Sequence, residues 1–192
     1  MKQINKVEWQ PGNLLYPLPA VMVSCGSKPE EYNIITISWT GTINTNPPMV
    51  YISVRPERHS YEIIKKNKEF VINLTTDKLA FATDFNGVKS GKDINKFAES
   101  RLTPIPARKT NTVLIGESPV NIECKVTQII PLGSHDMFIA EVININVDEK
   151  LIDPKTKKLR LDKANLLSYS HGFYYILGKR IGSFGWSVKK KK

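Results

Sequence analysis

Residues 53–60 read SVRPERHS, and four of them carry side chains that hold anions: Arg55, Arg58, His59 and Ser60. The two guanidiniums are planar forks of donors suited to phosphate oxygens. An apolar run, MVYISV, precedes the octet. The segment HSYEIIKKNK (59–68) follows it, with apolar positions at 61, 63 and 64. That spacing predicts a short amphipathic helix with Ser60 as its N-cap. A helix starting there offers unpaired amides and the positive end of its dipole, which together bind phosphate. The octet reads equally as a capped helix beside two solvated arginines. Glu57 and Glu62 oppose the anion reading unless they point away.

A second stretch, TISWTGTI (36–43), alternates hydroxyls with apolar groups. On one strand, Thr36, Ser38 and Thr40 share a face, and Ile37 and Trp39 share the other. A hydroxyl row on a buried strand suits a polar aromatic ligand; on an edge strand it is a solvated face.

Other chemistries lack their residues. GVKSGKD (87–93) has one residue too few between its glycines for a phosphate loop, and Asp93 stands where Ser or Thr would reach magnesium. GKRIGSFG (178–185) does not space its glycines as a dinucleotide fingerprint. His59, His135 and His171 are far apart in sequence, with no zinc-ligand pattern. No nucleophile elbow occurs.

Strands must position these residues. LPAVMVSCGS (18–27), YNIITISWTG (32–41), MVYISVR (49–55) and EFVINLT (69–75) are rich in β-branched residues or alternate. Two short helices are predicted within 76–99, and 100–118 reads as a proline-broken loop. Residues 119–133 and 135–152 alternate on either side of Gly133-Ser134, as one long hairpin. The end, GFYYILGKRIGSFGW (172–186), contains a short aromatic strand and then a glycine-rich stretch. Strands at short spacing, without a βαβ rhythm, predict a closed or partly closed antiparallel barrel with helices at its rim.

The chain has 192 residues, with 41% hydrophobic and 24% charged, and suits a single domain spanning 1–192. No apolar run approaches the ~18 residues of a membrane helix, and the N-terminus lacks the apolar core of a secretory signal. Cys25 and Cys124 are the only cysteines, so two thiols in a reducing cytoplasm are expected. The net charge of +10 includes four lysines at 189–192, read as a solvated basic tail. Such a balance permits phosphate-bearing small molecules, nucleic acid or membrane surfaces. A single-stranded nucleic-acid barrel is disfavoured, because no basic-aromatic interleaving runs across several strands.

Together these stretches form a pattern. NIITISWTGTINTNPPMVYISVRPERHSYEIIKKNKEFVINL, then SGKDINKFAESRLTP, ESPVNIECKV, GSHDMFIAEVININVDE and YYILGKRIGSFG, resemble in order the flavin reductase-like, FMN-binding split-barrel family, its flavoredoxin-type branch above all. The resemblance spans about residues 15–186. It implies a six-stranded antiparallel split barrel, a homodimer, and FMN near the subunit interface. It implies flavin contacts at Thr36, Ser38, Trp39 and Thr40, and ribityl and phosphate contacts at Ser53, Val54, Arg55, His59 and Ser60. Further contacts are implied at Lys92, Lys96, His135, Tyr174 and Phe184, with no catalytic nucleophile. The implied activity is an NADH- or NADPH-dependent flavin reductase, with Lys92 as a cation beside the reduced ring. The alternative is an electron carrier that keeps its FMN and serves a redox protein partner.

Overall fold

The computed structural model describes residues 4–189. Its strands and helices follow the alternation and periodicity of the sequence. In chain order they are β1 (Leu18–Pro19), β2 (Val21–Cys25), β3 (Asn33–Ile37), β4 (Thr40–Asn44), β5 (Met49–Val54), α1 (His59–Asn67) and β6 (Glu69–Leu74). Then come α2 (Ala80–Val88), α3 (Lys96–Glu99), β7 (Pro104–Pro106), β8 (Val113–Ile115), β9 (Val120–Pro131), β10 (Asp136–Val147), β11 (Leu167–Ser170) and β12 (Phe173–Ile176).

Seven strands form one curled antiparallel sheet in the order β3-β2-β6-β9-β10-β5-β4. The two outermost strands, β3 and β4, are consecutive in the chain and separated only by Ser38 and Trp39. One run of chain therefore pairs with β2 through its first half and with β5 through its second. The expected six strands become seven hydrogen-bonded segments, because the strand predicted over 32–41 bends at Ser38-Trp39. The β9–β10 hairpin is present as expected, with two register shifts that bend it around the barrel. Gly133, at φ +99°, supplies the left-handed residue at its tip. Residues 100–118 are not all loop: Pro104–Pro106 pairs with β8 in a two-stranded ribbon, where proline is tolerated because the strand is an edge.

The barrel interior is filled by the inward residues of these strands, among them Val23, Ile35, Ile37, Ile52, Val54, Phe70 and Phe138. β2 is buried on both faces. Its alternate residue Met22 joins Ile34 in a second apolar layer under α2, α3 and β8, with Leu79, Phe97, Val113 and Ile115. That layer fixes α2 against β3, at the edge of the barrel where the chain bends. A small separate sheet, β1-β11-β12, flanks it. Lys190–Lys192 of the basic tail lie outside the described residues.

One buried charge secures the far side. The Glu123 carboxylate is fully buried. It accepts from the amides of Arg108, Lys109 and Thr110 at 3.1, 2.7 and 2.9 Å, and from Asn144 and Asn146 at 2.7 and 2.8 Å. Burial alone pushes its pKa up, but the donors from Asn144, Asn146 and the loop amides outweigh it and hold the group down at about 2. A depressed carboxylate stabilises the fold above its ordinary range and loses that contribution as pH falls from ~4.5 toward 2. Glu123→Gln is expected to lower the unfolding free energy by roughly 3 kcal/mol at pH 7, a gap that narrows toward pH 2.5. Urea unfolding at the two pH values checks this; equal stability of the two proteins at pH 7 contradicts it.

Candidate ligand cleft

The bend at Ser38-Trp39 opens the barrel rim. Thr40 N donates to Ser38 O at 3.0 Å and Ser53 N to Trp39 O at 2.9 Å, so the bend is held by β5. Thr36 is half-buried and its hydroxyl donates to the Thr83 carbonyl of α2 at 2.5 Å. Thr40 points inward and donates to Tyr51 O at 2.6 Å. The bend thus breaks the hydroxyl row: Thr36 and Ser38 line the opening and Thr40 does not. Trp39 stays partly exposed and stacks on His135, with centroids 6.2 Å apart and planes 9° from parallel.

A cleft of about 330 Å³ follows the bend. One wall is Thr36, Ser38 and Trp39; the next is Ser53, Val54 and Arg55 from the end of β5, with His135 beside them. The opposite wall is Asp84, Gly87 and Val88 of α2, closed by Tyr169 and Tyr174 of the small sheet. The Tyr174 hydroxyl donates to Asp84 at 3.2 Å. Burial and the Asp84 carboxylate push that phenol up to about 12.

A second hollow of about 190 Å³ adjoins it, sharing Ile35 and Arg58. It is lined by Asn33, His59, Ser60, Lys96 and the loop Lys89-Ser90-Gly91, with Glu57 at its border. The N-cap of α1 is Arg58, not Ser60. Two residues further on, Ser60 is already inside the helix; its side chain is buried and accepts from Asn33 Nδ2 at 2.8 Å. As first-turn residues, His59 and Ser60 have amides with no intrahelical acceptor. Arg58 Nη2 donates to the Gly87 carbonyl at 2.5 Å, bridging α1 and α2 across the join between the hollows. Glu57 points outward and pairs with Arg55 at 3.4 Å, both well exposed, so it adds little negative charge to the hollow.

Burial lowers the pKa of His59, with Lys92 and Lys96 adding to the effect, and burial and Arg55 lower that of His135. Both imidazoles are therefore neutral at pH 7. Lys96 is almost wholly buried, and its ammonium donates to the carbonyls of Ile34 and Asn86, each at 2.8 Å.

Eight residues singled out in the sequence line the larger cleft: Thr36, Ser38, Trp39, Ser53, Val54, Arg55, His135 and Tyr174. His59, Ser60 and Lys96 line the smaller one. Thr40, Lys92 and Phe184 line neither, and Phe184 is fully exposed. The contacts implied by the resemblance include none of Arg58, Asp84, Tyr169 or the loop 89–91, all of which line the hollows. The signal for the loop is the GVKSGKD stretch, which fails as a magnesium-nucleotide loop but still places its backbone at the smaller hollow.

The curled antiparallel sheet and its two-part rim cleft define a split-barrel protein. The chain belongs to the family described as flavin reductase like domain, whose profile matches residues 14–177. Membership makes it a flavin-binding protein of reductase type. Flavoredoxin of Desulfovibrio vulgaris (Miyazaki F) has a similar structure, at TM-score 0.88 and 26% identity over 96% of this chain and 100% of that one. An uncharacterized protein of Pyrococcus abyssi is 28% identical, over 82% of this chain and 90% of its own length. An NADH-dependent FMN reductase of Streptomyces nodosus subsp. asukaensis is 23% identical, over 78% of this chain and 80% of its own.

Gly91 seals the smaller hollow by close approach. A Cβ at that position overlaps the buried amide of Asn33, which holds Ser60. Gly91→Ala is expected to destabilise the protein by about 1–3 kcal/mol through overpacking, lowering the thermal midpoint by several degrees. An unchanged midpoint in calorimetry contradicts the packing assigned here.

Proposed function

We propose that the cleft binds FMN and that the protein is an NAD(P)H-dependent flavin reductase. The observation that carries this is the continuity of two unlike hollows: a long one walled by aromatic, hydroxyl and apolar groups, and a short one lined mainly by donors and cations. That donor set fits a flat ring system with a polyol chain and a terminal phosphate. Thr36, Ser38 and Trp39 would border the ring. Ser53 and Arg55 would meet the ribityl chain, and Arg58, His59, Ser60 and Lys96 the phosphate. The smaller hollow, at about 190 Å³, has room for the terminal phosphate of FMN.

Bound flavin supplies the redox chemistry, accepting a hydride at N5 from a nicotinamide. The chain's own residues bind, orient and shield. Trp39 and His135 form one flat stacked wall at the mouth. Asp84 places a carboxylate at the ring end, so the cleft is polarised: a phosphate is repelled there and attracted at Arg58. Neutral His59 and His135 donate or accept hydrogen bonds near pH 7 without adding charge. Lys92 is exposed, lines neither hollow and acts on His59 at the phosphate end, so it does not serve as the cation beside the reduced ring. No side chain is assigned as a nucleophile or general base.

The barrel presents exposed Trp9, Leu14, Leu15, Phe184 and Trp186 on its terminal arms. Such surfaces suit the proposed homodimer, in which Phe184 reaches a neighbouring subunit's cleft. Both cysteines are buried and unpaired, which suits a reducing cytoplasm. Among the described residues no helix is long and apolar enough to cross a membrane. The likeness to flavoredoxin supports a second reading, a carrier that keeps its FMN and passes electrons to a redox protein.

Titration with FMN, followed by flavin fluorescence, is expected to show saturable binding. Arg58→Ala removes a charge-assisted donor set and is expected to weaken it by about 10- to 100-fold. Nicotinamide oxidation that rises with added free FMN marks the reductase, and its absence with FMN bound marks the carrier. A protein that takes up no FMN overturns both.

A further inference from the structure

Among the described residues, Asp84 is the one acidic residue that lines the larger cleft, in a chain of net charge +10. It lies inside α2, where aspartate is a poor helix former and caps nothing. Helix α2 carries no basic residue, so no cation stands three or four positions away on its face. Asp84 makes no ion pair with any described residue. Arg55 pairs with Glu57, and Arg58 donates to the Gly87 carbonyl, so neither guanidinium of the cleft contacts it. Its hydrogen bond from the Tyr174 hydroxyl, at 3.2 Å, occupies Oδ1 alone. The fold therefore sets an unpaired carboxylate against a cavity whose other end is cationic.

Two phenol rings stand beside this carboxylate and line the same cleft. Tyr169 and Tyr174 are partners across the β11–β12 pair, with centroids 5.8 Å apart and planes tilted by 60°. Tyr16, which does not line the cleft, packs edge-on against Tyr169 at 6.0 Å and braces the pair. An aromatic face attracts a cation through its quadrupole, and a neighbouring carboxylate adds Coulomb attraction. A flat cation gains from both. A flat anion is repelled by both.

We propose that Asp84, Tyr169 and Tyr174 form a subsite for a flat cationic ring of the pyridinium class, separate from the anion-binding hollow at Arg58. The subsite needs only the geometry of the cleft and stands without the flavin reading, in which Asp84 does no more than repel a phosphate. One consequence does rest on that reading. The pyridinium form of a nicotinamide is held more tightly than the neutral dihydro form, so the oxidised product competes with the donor.

One ring in three charge states tests the subsite: nicotinamide methylated at its ring nitrogen, a cation; nicotinamide itself, neutral; and nicotinate, an anion. Each is titrated into the full-length, flavin-free protein at pH 7 and followed by ligand-observed NMR. The cation is expected to bind about tenfold more tightly than nicotinamide, and nicotinate more weakly than either. Added salt is expected to narrow the gap. Asp84→Asn is expected to weaken the cation about tenfold and leave nicotinamide little changed, whereas Asp84→Glu keeps the preference. Tyr174→Leu removes one aromatic face and is expected to weaken the cation by about threefold or more. Absence of binding, equal binding of the three probes, or an Asp84→Asn protein with the wild-type preference overturns the inference. FMN titration of the same protein reads the flavin proposal separately. Charge preference without FMN uptake supports the subsite and sinks that proposal; FMN uptake without charge preference does the reverse.

Discussion

The structure depends on one bent run of chain. Residues 33–44 pair with β2 before the bend and with β5 after it, so a single segment forms both outer strands of the sheet. If the segment ran straight, either β2 or β5 would lose one of its two partners and become an exposed sheet edge. The bend at Ser38-Trp39 is the compromise, and its local gap in the ladder is the rim opening. The candidate cleft is thus a consequence of how the barrel closes.

Two further constraints give the opening its chemistry. Helix α2 is held over β3 by an apolar layer containing Met22, Ile34 and Leu79, and by the Thr36 to Thr83 bond. That supplies the second wall and brings Asp84 opposite the bend. The turn after β5 brings Arg58 to the Gly87 carbonyl, so both guanidinium and helix start face the same hollow. The contrast with Glu123 is instructive. That buried carboxylate is surrounded by donors from both backbone and side chains and is a closed structural site. Lys96 is buried almost as deeply, bonds two backbone carbonyls and no carboxylate among the described residues, and lines the smaller hollow. The first arrangement stabilises a fold; the second suits a fold with a guest.

Much of the barrel was legible because its strands alternate or are β-branched throughout, and because Gly133 marks the long hairpin. The bend was not legible: TISWTGTI carries no glycine or proline before Gly41, and closure is a property of partners far away in sequence. Read as one straight strand, the sequence puts Thr40 on the same face as Thr36 and Ser38, whereas the bend turns it inward. Ser60 looked like a cap because its type favours one, but the buried amide of Asn33 claims its oxygen. The short ribbon at Pro104–Pro106 was hidden by prolines, which allow an edge strand as readily as a loop. The cleft's second wall was missed because Asp84 and the 89–91 loop are defined only by the docking of α2. Arg55, Arg58 and His59 were found because three donors at one strand-to-helix corner need no tertiary knowledge to suggest an anion.

The central claim is that the bend and the corner hold the two ends of one FMN molecule. A crystal structure of the protein grown with FMN tests it most directly. The account predicts the flavin ring against Ser38 and Trp39, opposite Asp84, with the phosphate in the hollow of Arg58, Ser60 and Lys96. Electron density for FMN elsewhere on the molecule, or in this cleft with its phosphate toward Asp84, would contradict it.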